Sequence, residues 1–301
     1  MSKRRRSPQG GSRPQAKGKG TKVKGTKVED VYVPRPFAGL VDEPDWVALR
    51  ELVPAATAPL RLSEEARAEY GDREIVLATV LPLAWPGLVK PDGRIFLGLQ
   101  RQTRSGDVSR DLAVTLEMAF QTEPGSPVPI PPLPGRGPRL QDLLSNDGLA
   151  ITVRDSFDFW LDEEVSSPEV RASLERANAS IVPTVRMTAA PAAYWCRFPD
   201  KAHVRWVLGD DENVALAALA RLSRAGELTL GPQTRFAGMF RAHGLLVPVW
   251  DLPTEPGAAD WEEPLAAFAA RYAAAREAGV ELDAQERRAR EGLLARQVAL
   301  R

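Results

Sequence analysis

Two stretches of this chain set out the same succession of elements, and that succession limits the possible folds more tightly than any single motif. In the first, Ser63 stands at the N-cap of a charged helix reaching Tyr70, Gly71 ends it, and Ile75-Val76-Leu77-Ala78-Thr79-Val80 reads as a buried strand. In the second, Ser166 or Ser167 precedes Pro168 at a helix start. Val170, Leu174 and Ala177 form its apolar stripe, and Ile181-Val182-Pro183-Thr184-Val185 follows as a strand. Each stretch then turns, at Lys90-Pro91-Asp92-Gly93 and at Phe198-Pro199-Asp200-Lys201, where proline presets φ and Asp favours the reversal. Alternation places Ile95, Leu97 and Leu99 on one side of the next strand, and Val204, Trp206 and Leu208 on one side of its counterpart.

A helix comes next in both. Ser109 to Phe120 buries Leu112, Leu116 and Phe120; Asp211 to Ala225 buries Val214, Ala218 and Leu222 and stops at Gly226. Both stretches close on strand pairs ending in tryptophan, Phe159-Trp160-Leu161-Asp162 and Val249-Trp250-Asp251-Leu252. The expectation is an α+β fold of internally duplicated helix, three-strand, helix, two-strand units with antiparallel sheets. Asp45 offers an N-cap to a short helix ahead of the units, carrying Trp46, Leu49 and Leu52. Behind the units, Trp261, Leu265, Phe268 and Tyr272 recur at helical spacing, and Asp283 with Glu286 makes a capping box for a last helix whose Leu293, Leu294, Val298 and Leu300 need a partner surface.

The formal net charge is zero, but residues 1–28 hold ten Lys or Arg and no acid, leaving 30 basic against 40 acidic residues in the rest. With Val23 and Val28 as their only branched apolar residues, positions 1–28 cannot bury enough surface to offset the entropy of ordering, and a disordered basic tail is expected. The boundaries that follow are 1–28 for the tail, 29–165 for a first unit with a Pro-rich, extended insertion over 124–138, 166–256 for a second unit, and 257–301 for the C-terminal helices. No signal-peptide core follows the basic start. The longest strongly apolar stretch, Ile75 to Val89, is broken by Pro82 and Pro86 and falls short of the roughly 20 residues that span a bilayer, so a cytoplasmic protein is expected.

Candidate chemistry is sparse. Gly18-Lys19-Gly20-Thr21 lacks the earlier glycine and the strand and helix of a phosphate-binding loop, and no hydrolase, zincin or dinucleotide signature occurs, so no cofactor is implied. The single cysteine excludes a disulfide framework or a multi-cysteine zinc site. Asp155, Asp158, Asp162, Glu163 and Glu164 supply carboxylates of the kind that hold hard cations, but spacing at strand ends favours a solvated rim over a metal. A two-residue turn at Pro199-Asp200 would set Cys196 across from His203, a thiol and imidazole pair that still needs a third, orienting group; a three-residue turn would part them. His243 reads as a hairpin-turn residue. Arg197, Arg205, Arg235 and Arg241 are candidates for anion binding, with solvated strand faces as the plainer reading.

Several blocks resemble one family. Arg35-Pro36-Phe37-Ala38-Gly39-Leu40, the run from Trp46 to Ala58, Ser105-Gly106-Asp107 with Ser109-Arg110-Asp111-Leu112, Phe157-Asp158-Phe159-Trp160, Ala193-Tyr194-Trp195-Cys196 and Phe240 to Leu252 are similar to an uncharacterised family of actinobacterial cytoplasmic proteins, a domain of unknown function. The likeness extends from about Pro34 to the end of the chain and brings no mechanism. Some members carry a cysteine-rich zinc motif behind the basic start; this chain has no cysteine there, so the resemblance implies no metal.

The leading expectation is a non-enzymatic binding or adaptor protein whose tail, through Lys3, Arg4, Arg5, Arg6, Lys17, Lys19, Lys22, Lys24 and Lys27, attracts nucleic acid or the ribosome by counterion release. The alternative is an enzyme acting on an anionic small molecule in a cleft between the halves, its substrate clamped by the second unit's arginines. In the first reading the duplicated body recognises a protein partner; a purely structural role in an oligomer, resting on the terminal helix's unmatched leucines, stands third.

Overall fold

The computed structural model describes residues 28–101, 105–161 and 167–295; the tail, apart from Val28, lies outside them, as do Asp162, Glu163, Glu164, Val298 and Leu300. The fold is α+β, with eight α-helices and two five-stranded sheets among the described residues. No helix among them is long and apolar enough to cross a membrane.

The first sheet holds β1 (Ala56–Leu60), β2 (Ile75–Val80), β3 (Gly87–Val89), β4 (Ile95–Gln100) and β5 (Thr152–Val153), in the order β3-β4-β2-β1-β5. β2 and β4 run parallel and the remaining pairs antiparallel. Alternation along β2 and β4 sends Ile75, Leu77, Ile95, Leu97 and Leu99 toward α1 (Glu43–Glu51) and α3 (Val108–Phe120). Ala78 and Phe96 face the other way, under Trp85, Leu88, Phe159 and Trp160. Gly98 is required there, because a Cβ would lie 2.6 Å from the Trp85 carbonyl oxygen. Helix α2 (Glu64–Tyr70) is capped by Ser63 and ended by Gly71 at φ 87°, as expected.

The second sheet joins β6 (Thr184–Arg186), β7 (Ala193–Arg197), β8 (Ala202–Trp206), β9 (Arg235–Ala242) and β10 (Leu245–Leu252) in the order β6-β7-β8-β10-β9, antiparallel throughout. One face carries Trp195, Val204, Trp206, Leu246 and Trp250 against α6 (Glu212–Ala225), α7 (Glu262–Glu277) and α8 (Ala284–Leu294). Trp261, Leu265, Phe268 and Tyr272 are all buried, the Asp283 capping box is formed, and Leu293 finds its surface in this core. The opposite face carries Tyr194, Phe240, Leu245, Val247 and Val249 into the same apolar cluster as α1 and the first sheet, so the hydrophobic interior runs unbroken between the two units.

The common order of elements does not extend to a common topology. In the first sheet the strand after the unit's opening helix, β2, lies beside β4; its counterpart β6 lies beside β7 and at the sheet edge. Phe159-Trp160 belongs to a 3-10 turn over Asp158–Trp160, not to a closing strand, so Asp158 is not a strand residue, and only two-residue β5 pairs in that region. An aromatic pair followed by Leu is equally at home capping a sheet face, where its rings bury themselves without ladder bonds. Three further expectations change. The N-cap of α1 is Asp42, and Asp45 sits buried inside the first turn. The stripe of α5 (Pro168–Asn178) is not buried: Val170 is exposed and Leu174 half-buried. The insertion is only partly solvated, since Val128 is buried and its backbone, with Gly125 and Ser126, bonds to Gly87 and Val89 of β3.

Candidate functional site

On the α1-facing side of the second sheet, beyond the apolar patch, one rung crosses all five strands: Thr184, Cys196, His203, Asp251 and Arg235 stand directly opposite one another from β6 to β9. The two-residue turn is the one formed, with the Phe198 N–H donating to the Lys201 carbonyl, and it places Cys196 against His203. The third group is Asp251, whose Oδ1 lies 3.1 Å from His203 Nδ1 and 3.9 Å from Lys201 Nζ. Arg235 closes on its Oδ2. A bulge makes this last pairing possible. The register of β9 slips by one residue between Val249 and Trp250, with Gly238 at φ 141°, so Phe236 opposes Trp250 on the helix side and Arg235 reaches Asp251.

Above the rung, the Phe198 ring meets His203 edge-on at 5.4 Å, and the Arg205 guanidinium lies over Phe198 at 5.5 Å. Burial pushes the Cys196 thiol up, against a smaller downward pull from Arg205. Burial pushes His203 down, reinforced by Arg205 and Lys201 and opposed by Asp251. Both shifts favour the uncharged forms, a neutral thiol beside a neutral imidazole, which is the reverse of the thiolate and imidazolium that a nucleophilic cysteine requires. Cys196 is 3% exposed and His203 8%, leaving no approach for a substrate carbonyl. The rung has the residue types of a cysteine hydrolase and the electrostatics of a core.

The four candidate arginines divide between the two faces. Arg235 belongs to the rung and Arg205 lies on the same face beside it; Arg197 and Arg241 project on the helix side, at opposite ends of the sheet. Arg197 stacks near Trp195 and approaches Glu255 at 3.8 Å. Arg241 makes a two-pronged pair with Glu212, with Nη2 2.7 Å from Oε1 and Nε 2.9 Å from Oε2, which raises the arginine and lowers the carboxylate. None of the four lines the hollow of about 640 Å³ at the seam of β5 and β6, whose arginines are Arg154 and Arg186. Among the described residues no group of three or more His, Cys, Asp or Glu side chains could hold a metal ion.

Sequence reasoning missed the polar clamp on α1. Buried Asp45 accepts from the Tyr194 hydroxyl at 2.7 Å and pairs with Arg186 at 2.8 Å, binding the start of the helix to the second sheet. At its other end, Arg50 donates to the Leu99 carbonyl and its Nε stands 3.1 Å from His243 Nε2, which also contacts Glu51 at 2.8 Å. His243 and Gly244 form the two-residue hairpin turn expected of them, both with positive φ. The signal available was an acidic residue inside an otherwise apolar helix stripe, a pattern that marks a buried pair as readily as a cap.

Residues 30–33 lie beside the turn that precedes α3. The Val33 N–H donates to the Gly106 carbonyl, and Asp30 accepts from the Gly106 N–H. Arg110, Arg136 and Arg139 line a hollow of about 290 Å³ at this junction, together with Glu29, Asp30 and Asp107. Residues 36–301 match the model of a family of unknown function (DUF5926). No curated protein and no solved structure matches the chain.

Proposed function

Because the chain belongs to the DUF5926 family, of unknown function, we propose its role from its own residues: a non-enzymatic, cytoplasmic binding protein that holds nucleic acid or the ribosome through its cationic leader. The observation that carries this reading is the division of charge, ten cations and no acid over residues 1–28 against a net −10 over the remainder. A polyanion is drawn to the leader and repelled by most of the body, which confines the contact to one end of the molecule. At the junction Arg139 pairs with Asp107 and Arg110 lies 3.7 Å from Glu117, so the contact rests on the leader's own charge. The neutral, buried state of Cys196 and His203 supports binding over catalysis.

Filter binding to RNA and DNA across a salt series tests the reading. Each phosphate neutralised contributes about −0.7 to −0.9 to the slope of log affinity against log salt, so engagement of half the leader's cations gives a slope of about −4. Removal of residues 1–28 should flatten that slope and abolish most of the affinity. Unchanged binding by the shortened chain defeats the proposal.

A further inference from the structure

The two sheets meet edge to edge. Strands β5 and β6 each stand last in their sheet, and the hollow of about 640 Å³ between them is lined by consecutive residues on both sides, Val153, Arg154 and Asp155 facing Thr184, Val185 and Arg186. Successive side chains of a strand point to opposite faces, so a hollow touched by neighbours of both parities runs along the backbone edge. The ladder bonds show what that edge presents. The Pro183 carbonyl and the Met187 N–H bond to β7, so alternation turns the N–H and C=O of Thr184 and Arg186 away from it; the Arg154 N–H bonds to the Ala55 carbonyl, so those of Val153 turn away from β1. Both open edges therefore carry backbone donors and acceptors toward the hollow.

The side chains around it are of two kinds. Ile151, Val153, Ile181 and Val185 supply an aliphatic wall, and Arg154 with Asp155 supplies one charge of each sign. The Thr57 hydroxyl accepts from Arg154 Nε and Nη2, both at 3.2 Å, which fixes the guanidinium and leaves Nη1 for another acceptor. Among the described residues no carboxylate pairs with Arg154, no cation pairs with Asp155, and the two do not pair with each other. Arg186, by contrast, is matched by Asp45 at 2.8 Å.

We propose that this hollow binds a free aliphatic α-amino acid. Such a zwitterion brings a carboxylate for Arg154, an ammonium for Asp155 and a branched apolar side chain for the isoleucines and valines, and its two charges stand on one carbon as those of the hollow stand on adjacent residues. The edge N–H groups add donors for the carboxylate and the edge carbonyls add acceptors for the ammonium. A plain fatty acid or an alkylamine would leave one of the two protein charges unmatched, which sets the selectivity. The volume lies within the range of about 300–1,000 Å³ usual for small-molecule sites, and a seam between two packed units is a place they favour.

The test is a titration of the full chain, carrying methyl-labelled isoleucines, with leucine, leucinamide and N-acetyl-leucine. Leucine should shift the Ile151 and Ile181 methyls and leave Ile75, Ile95 and Ile130 in place, since the first two of these lie in the first unit's core and the third on the Pro-rich insertion. Arg154→Gln should weaken leucine about tenfold, the usual loss for one charge-assisted contact, and leave leucinamide, which has no carboxylate, as in the parent chain. Asp155→Asn should weaken leucine to a similar degree and leave N-acetyl-leucine, which has no ammonium, unaffected. Unmoved Ile75 and Ile95 methyls in both variants report an intact fold. Absence of shifts at Ile151 and Ile181, equal shifts at all five isoleucines, or an affinity for leucine that either variant leaves unchanged overturns the proposal. None of these outcomes bears on polyanion binding by residues 1–28.

Discussion

The two sheets have five strands each, and they are buried by different means. The second is covered on both faces by regular structure, α6, α7 and α8 on one side and α1 with its surroundings on the other. The first has helices on one face only; its other face is closed by the Trp85 loop, by the Phe159-Trp160 turn, and by Lys90, whose Nζ donates to the Trp160 carbonyl at 2.8 Å and lies 5.3 Å from the Phe96 ring. A similar succession of helices and strands has thus produced two environments, because what fixes a sheet is which strand lies beside which, and neighbouring residues in sequence do not determine that.

The largest expected effect comes from the doubly covered sheet. Trp250 is fully buried, with its indole N–H on the Leu228 carbonyl, so Trp250→Ala should lower stability by about 3–5 kcal/mol in urea unfolding. Both sheets should still unfold in one transition, since α1 belongs to both; two separate transitions would break the comparison. Next is the clamp. Asp45→Ala strips the buried Tyr194 hydroxyl of its acceptor and should lower stability by about 1–3 kcal/mol, with a non-additive cycle against Tyr194→Phe. Additive losses would mean that the contact does not join the sheets.

The rung gives a smaller, pH-dependent effect. His203 holds protons more weakly folded than unfolded, so stability is constant above the ordinary histidine value of about 6.5 and declines as pH falls below it, where the unfolded chain takes up the proton first. His203→Asn should make that decline shallower in denaturant titrations from about pH 7 to pH 5, and an unchanged slope would show that the ring is not held neutral. Smallest is Arg241→Ala. Its pair with Glu212 is well exposed, and removing it should change stability by less than about 1 kcal/mol.

Signals that act over a few residues are legible in the sequence. Ser63 and Gly71, the turns at Lys90-Pro91-Asp92-Gly93 and Phe198-Pro199-Asp200-Lys201, the stripe from Trp261 to Tyr272 and the Asp283 box each act through contacts a few residues apart. Long-range placement was not legible. β1, Ala-Thr-Ala-Pro-Leu, reads as a weak strand; it sits between β2 and β5 through ladder pairs to both, buried Ala58 and Leu60, and the Thr79 hydroxyl, which accepts from the Ala56 N–H and donates to the Pro54 carbonyl. Asp251 as third member of the rung depends on β10 lying beside β8 across more than forty residues. The sharing out of the four arginines follows from the bulge and from strand parity, neither of which composition records.

Helix α1 precedes by more than 130 residues the strands that complete its surroundings, and this has a bearing on how the protein is made. During synthesis the first sheet and α3 are available while Asp45 still awaits Tyr194 and Arg186, and while Arg50 and Glu51 await His243. The nascent half therefore waits with one flank of an apolar helix and a carboxylate uncovered until the last hairpin emerges. For the same reason a cut between the units would leave neither fragment with a finished interior.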